Sequence, residues 1–244
     1  MEKAELRERT WSPEQQQALD TIRRGLEKVD ANRRQEERLF LKGEPGCGKS
    51  EVIIHAAVRA ALDGYHVLIL VPTDTLVHSY RDRLPTHEFI TVETIHSGMQ
   101  IHRDTDREKV QYAPPGRLRR IDLFCLDEAS QVDDDIATLL FMAVQELPQK
   151  PMFVAAADYQ QLSPIKSGHK MSGWCQRMPT IELKTIFRTS DPELLTFLRS
   201  VRTVQPAKST IVDFFKDRHL CGSLEDAVGF GLRRADRTGQ LFSW

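Results

Sequence analysis

Short apolar runs alternate along the chain with stretches in which apolar residues recur every three or four positions. Residues 38–42, 66–71, 89–92, 122–126 and 152–156 are of strand length and rich in β-formers, so they read as buried strands. Between them, Leu19, Ile22, Leu26 and Val29, then Val52, Ile53, Ala56, Ala57 and Ala60, then Ile136, Leu139, Leu140, Ala143, Val144 and Leu147 fall at helical spacing. Strands separated by helices need crossovers, so the pattern predicts an α/β fold with a parallel sheet flanked by helices on both faces. Ser12-Pro13-Glu14-Gln15 has the capping-box spacing with proline at the first helical position, and Asp191-Pro192 opens a helix carrying Leu194, Phe197, Leu198 and Val201. Residues 102–120 contain Pro114-Pro115-Gly116 and show no periodicity, which predicts an inserted loop whose basic residues either meet phosphate or lie on a solvated surface.

Composition narrows the class. The 244 residues carry 34 basic and 35 acidic side chains, a net charge of −1, which argues against a strongly basic wrapper of nucleic acid but leaves room for a local basic groove. With 40% hydrophobic and 28% charged residues the chain is unlike disordered or fibrous sequence. No apolar run approaches the roughly 20 residues that span a bilayer, and the charged start, Met1-Glu2-Lys3-Ala4-Glu5, reads as neither a secretory signal nor an Arg/Ser-rich transit peptide. Cys47, Cys125, Cys175 and Cys221 are widely spaced, so they suggest neither a zinc ligand set nor a disulfide framework, and a reducing cytoplasm or nucleus is expected.

The chemistry concentrates in two segments. Gly43-Glu44-Pro45-Gly46-Cys47-Gly48-Lys49-Ser50 fits G-x-x-x-x-G-K-[ST], between an apolar strand and an apolar helix. Its glycines let the backbone N–H groups surround phosphates, Lys49 reaches the outer phosphates, and Ser50 can ligate Mg²⁺. Leu123-Phe124-Cys125-Leu126-Asp127-Glu128 ends a strand in two carboxylates, Asp127 placed to hold Mg²⁺ and Glu128 to orient or deprotonate water. A third strand ends in Asp158-Tyr159-Gln160-Gln161, where Gln161 would meet the γ-phosphate or its attacking water. Arg188, after Ile186-Phe187, reads either as an arginine finger or as a partner of Asp191. Four further features have two readings each. Trp174 stacks on a base or packs on the sheet edge; His96 bonds nucleic acid or joins two loops; Asp133-Asp134-Asp135 binds metal or opens a helix; Thr73 contacts nucleic acid or caps the helix through Leu76.

Taken in order, these segments resemble the first motor domain of superfamily 1 helicases of the RecD/Pif type. The similarity runs from residue 11 to about 202 and is carried by Trp11-Ser12-Pro13-Glu14-Gln15 (Gln motif), residues 43–50 (motif I), Val71-Pro72-Thr73 (motif Ia), Thr94-Ile95-His96, Asp127-Glu128-Ala129-Ser130 (motif II), residues 158–165 (motif III) and Phe187-Arg188 (motif IV). The resemblance implies a RecA-like P-loop NTPase fold and ATP with Mg²⁺ as cofactor. It implies that Gln15 reads adenine, that Pro72, Thr73, Thr94 and His96 contact or lie beside a nucleic-acid strand, and that Arg188 joins the triphosphate site. Single-stranded DNA moved 5′ to 3′ is the implied partner, with roles in repair and recombination. Asp127-Glu128-Ala129-Ser130-Gln131 is also similar to Upf-like RNA helicases, and Ala157-Asp158 replaces the family's Gly-Asp.

The expected organisation is an extension over 1–10, a motor domain over 11–204 with its insertion near 102–120, and a helical connector over 205–244. Motifs V and VI are not found after Arg188, so a second RecA-like lobe or a partner subunit is expected to complete the motor. The competing readings are a nucleotide-dependent switch without productive turnover and a P-loop ATPase or kinase unrelated to helicases.

Overall fold

Neighbouring residues within each of the four central strands of the main sheet enter two different cores. The computed structural model describes residues 10–32, 36–103, 110–112, 116–158 and 170–187, with Glu193, Thr196, Phe197 and Ser200. The chain divides into two compact units, Met1–Thr189 and Ser190–Trp244. The first holds β1 (Glu37–Gly43), β2 (Val67–Val71), β3 (Ile90–Thr94), β4 (Ile101–Arg103), β5 (Val110–Tyr112), β6 (Leu123–Leu126), β7 (Met152–Ala157) and β8 (Thr180–Leu183). Its helices are α1 (Pro13–Ala31), α2 (Lys49–Leu62), α3 (Asp74–Arg83), α4 (Ile95–Gly98), α5 (Asp134–Glu146) and α6 (Lys170–Cys175). Six strands form a sheet in the order β3-β2-β6-β7-β1-β8, every pairing parallel.

Leu39, Leu41, Ile69, Leu123, Cys125, Val154 and Ala156 face a core built with α1, α2 and α3. Phe40, Leu68, Leu70, Phe124, Leu126, Phe153 and Ala155 face a second core with α4, α5 and α6. Because successive side chains of a strand point to opposite faces, continuous apolar strands are what a two-faced burial requires. The expected α/β architecture is thus present, and it is the RecA-like arrangement. From β1 the chain moves outward through α2 and α3 to β2 and β3, then returns through β6, β7 and β8 with α5 and α6 on the opposite face. That reversal is what right-handed crossovers demand, and it brings the strand ends around β1 to one edge as a crevice.

Local sequence fixes the helix starts. Ser12 and Gln15 form the reciprocal capping box of α1, with Pro13 at its first turn. Asp133 caps α5 by accepting from the Ile136 N–H at 2.9 Å, so the acidic triplet opens a helix. Among the described residues no group of three or more His, Cys, Asp or Glu side chains is placed to hold a metal ion. Trp174 is 7% exposed and lies against Phe141 and Phe153, with the Arg38 guanidinium over its ring, which makes it a core residue. Within the stretch expected to be an inserted loop, the described residues include short regular pieces. Ile101–Arg103 pairs antiparallel with Val110–Tyr112, and Gly116–Arg120 forms a 3₁₀ turn anchored by the buried Leu118. Three-residue strands are too short to show a period, which is why the pattern hid them. No helix among the described residues is long and apolar enough to cross a membrane.

The second core gives a stability prediction. Phe153 is 1% exposed and stacks on Phe124 at 5.2 Å. Phe153→Ala should cost about 3–5 kcal/mol through lost transfer energy and the cavity left behind, read as a lowered denaturant midpoint at unchanged slope.

Candidate active site

The loop between β1 and α2 turns sharply at Gly46 (φ 85°) and Gly48 (φ 83°), both in the left-handed region. Gly48 is the N-cap of α2 and offers no side-chain acceptor, so the helix's first N–H groups face the crevice as an anion cradle. Gly43 is required for another reason. A Cβ there would stand 2.5 Å from Cys47 Sγ and 2.8 Å from the Leu183 carbonyl oxygen. Cys47 is itself buried, and burial pushes its thiol pKa up, so it serves as packing for the loop and not as a nucleophile.

Lys49 is 6% exposed, and its ammonium donates to the carbonyls of Gly43 at 2.9 Å and Glu44 at 3.2 Å, folded back on the loop it serves. Ser50, Asp127 and Tyr80 meet at one oxygen: Asp127 Oδ2 accepts from Ser50 Oγ at 2.7 Å and from the Tyr80 phenol at 2.6 Å. Asp127 Oδ1 accepts from the Glu128 N–H at 2.9 Å. Asp127 is 1% exposed and forms no ion pair with a described residue. Burial, and then the Asp127 charge, push the Tyr80 phenol well above its ordinary pKa, so it remains a donor. Ser50 Oγ and the buried Asp127 carboxylate are two hard oxygen ligands side by side, a donor set that suits Mg²⁺.

Glu128 has φ 51° and ψ 41°, a left-handed backbone that costs a side-chain-bearing residue about 1–2 kcal/mol. Such strain is characteristic of residues held for function. Glu128 lines a cleft of about 650 Å³ with Thr10, Trp11, Gln15, Pro45, Gly46, Gly48, Lys49 and Ser50, and with Glu51, Arg83 and Phe187. That volume suits a nucleotide-sized ligand.

Gln15 is placed at this cleft but its amide is committed. Its oxygen accepts from the Ser12 N–H at 3.1 Å, and its nitrogen donates to the Cys47 carbonyl at 3.0 Å. In this structure Gln15 ties α1 to the phosphate loop. On the far side of the loop, the Phe187 N–H donates to the Gly46 carbonyl at 2.8 Å, leaving the ring 56% exposed at the cleft. The segment before Phe187 is clasped to α1, because Glu14 Oε1 accepts from the Thr185 hydroxyl at 2.7 Å, the Thr185 N–H at 2.9 Å and the Lys184 N–H at 3.2 Å. The Thr185 hydroxyl, then Glu14's own N–H, and then the Thr185 and Lys184 N–H groups hold the Glu14 carboxyl down at about 2.

The second group of expected residues lies at the ends of β2 and β3. Val71 pairs with Thr94, so Pro72 and Thr73 leave the sheet beside Thr94 and His96. Thr73 caps α3 by accepting from the Leu76 N–H at 3.4 Å, and Thr94 caps α4 by accepting from the Ser97 N–H at 3.2 Å. Both readings of Thr73 are therefore compatible, since a cap at an exposed strand end still presents its side chain. His96 is exposed on α4. Gln161 and Arg188 lie outside the described residues. Tyr80, Arg83 and Phe187 were not singled out individually as site residues by sequence. For Tyr80 the only signal was its place two helical turns beyond Thr73; for Arg83, which pairs with Glu51, there was none.

The profile of the AAA domain family matches residues 10–222. The ATP-dependent RecD2 DNA helicase of Deinococcus radiodurans is 29% identical over 154 residues, 62% of this chain and 19% of that protein. A transcription-repair-coupling factor of Staphylococcus epidermidis is 37% identical over 73 residues, 30% of this chain and 6% of that protein. Among solved structures, the Pif1 helicase of Candida albicans matches with a TM-score of 0.63 at 22% identity, covering 89% of this chain and 50% of that one. The chain thus spans at most half the length of these relatives. The RecD2 match bears out the expected likeness to RecD/Pif-type motor domains, and the Pif1 match bears out the fold.

Two outcomes test the site's scaffold. Gly48→Ala sets a Cβ 2.5 Å from Gln15 Nε2 at a positive φ, so it should lower stability by about 1–2 kcal/mol and loosen the loop, measured by thermal unfolding. The Glu14 clasp is fully present above the carboxyl's ordinary value of 4.5 and is lost as pH falls toward about 2. The stability gap between the unaltered chain and Glu14→Gln should therefore be constant above about pH 5 and close on acidification, measured as melting midpoints across that range.

Proposed function

This chain belongs to the AAA domain family, and on that premise we propose that it is the ATP-binding motor lobe of a superfamily 1 helicase of the RecD/Pif type. The carrying observation is the 2.7 Å contact between Ser50 of the phosphate loop and Asp127 at the end of β6, with Glu128 lining the same cleft. ATP would lie with its phosphates over Gly46, Gly48 and Lys49. Pro45 and Cys47 shape the loop beneath, and Ser50 and Asp127 would hold Mg²⁺, which supplies charge neutralisation at the phosphates. Glu128 would orient or deprotonate the attacking water. Phe187 and Trp11 offer aromatic surface to the base, and Gln15 would reach its edge only by giving up the Cys47 carbonyl.

The shared rim of β2 and β3 gives Pro72, Thr73, Thr94 and His96 a common face for a single strand. DNA is favoured over RNA because the RecD2 relative is a DNA helicase. Gln161 and Arg188 complete the proposed catalytic set as γ-phosphate sensor and arginine finger. Residues 11–204 form the lobe and 205–244 lead to a second RecA-like lobe or partner subunit, without which hydrolysis is slow and 5′ to 3′ movement does not proceed. Cys47, Cys125 and Cys175 are buried and form no disulfide among the described residues, which suits a reducing nucleus or cytoplasm.

Steady-state ATP hydrolysis with and without single-stranded DNA tests this reading. Glu128→Gln should lower turnover by about a hundredfold or more while leaving ATP affinity largely intact. Equal turnover in both proteins would sink the assignment of Glu128, and indifference of both turnover and ATP affinity to DNA would detach the site from nucleic acid.

A further inference from the structure

Among the side-chain contacts that reach the proposed magnesium ligand Asp127, one comes from outside the nucleotide-binding segments. Tyr80 sits on α3, is 1% exposed, and donates its phenol to Asp127 Oδ2 at 2.6 Å. The same oxygen accepts from Ser50 Oγ at 2.7 Å. Asp127 Oδ1 is taken by the Glu128 N–H, and the Asp127 N–H donates to the Leu70 carbonyl of β2 at 3.0 Å. The backbone and one oxygen are thus fixed locally, while the orientation of Oδ2 depends on two hydroxyls. One of them, Ser50, is itself a proposed metal ligand and must redirect a lone pair to the ion. The phenol, which also meets the Ser50 hydroxyl, is not itself a proposed ligand.

We infer that Tyr80 is the positioning residue for the magnesium site, aiming Asp127 Oδ2 at the ion that Ser50 shares. The inference rests on the nucleotide-site reading above. A hydroxyl that orients a ligating carboxylate contributes to metal affinity through the ligand's direction and basicity, and its loss typically costs 10–100-fold in metal binding. The remainder of the Tyr80 ring packs with Val77 and the α2 side of the sheet, a contact that phenylalanine would keep. Removing only the oxygen therefore separates aiming from packing.

The experiment uses the whole chain and a fluorescent ATP analogue, titrated with Mg²⁺, beside a titration of the analogue in excess chelator. For Tyr80→Phe the Mg²⁺ concentration giving half of the magnesium-dependent gain in affinity should rise roughly tenfold. The chelator affinity should match that of the unaltered chain, while the melting midpoint falls only by what one lost buried hydrogen bond costs. Superimposable Mg²⁺ curves would overturn the inference. So would a lowered melting midpoint with equal loss of affinity in chelator, which would make the phenol a fold-stabilising group. Failure of the unaltered chain to bind the analogue with Mg²⁺ would instead remove the nucleotide-site reading, and the inference with it.

Discussion

A sheet whose strands all run the same way has every strand end of one polarity along one edge, and it must be covered on both faces by the connections that return the chain. That constraint governs this molecule. It explains why β2, β6 and β7 are apolar at every position, why α1, α2 and α3 share one core and α4, α5 and α6 the other, and why loops from distant parts of the sequence meet above β1 and β6. The phosphate loop, the two carboxylates and the rim of β2 and β3 are neighbours because the topology leaves them no other place.

Within that edge, rigidity is distributed unevenly. The phosphate loop is held from α1 by Gln15, from the segment after β8 by the Phe187 N–H, and from within by Lys49. The carboxylate Asp127 is held by Ser50 and Tyr80, so α3 touches the nucleotide side at one end of its reach while beginning at Thr73, on the rim of β2 and β3. The Ser50 and Tyr80 contacts each join an element of one crossover to the strand end of another, which is how a parallel sheet locks loops it does not hydrogen-bond directly.

Much of this was legible in the sequence, and for identifiable reasons. The runs that became β1, β2, β6 and β7 are apolar at adjacent positions because both faces are covered, and the phosphate loop needs its glycines at fixed spacing. Asp127 and Glu128 were visible because they directly follow a buried strand. What escaped was what depends on three-dimensional approach. The short ribbon of β4 and β5 has too few residues to show alternation, and Tyr80 is separated from Asp127 by nearly the whole of two crossovers. Gln15 was expected to face a base; its amide is instead shared between its own helix cap and the Cys47 carbonyl, a competition that spacing cannot reveal. Trp174 offered two roles, and the rings of Phe141 and Phe153 decided for packing.

The spatial order of the strands also has a bearing on how the chain reaches this state. The strand that carries the phosphate loop, β1, pairs with β7 and β8, both of which lie far later in the sequence. During synthesis β1 therefore has no strand partner until most of the first unit has been made, while β2 and β3 can pair at once across a single helix. Assembly of the nucleotide site waits on the least local contacts in the fold, the kind whose loop-closure entropy slows folding and leaves an apolar edge exposed in the interim. Leu39-Phe40-Leu41 is that edge, and its shelter until Met152 arrives is a demand that the finished structure no longer displays.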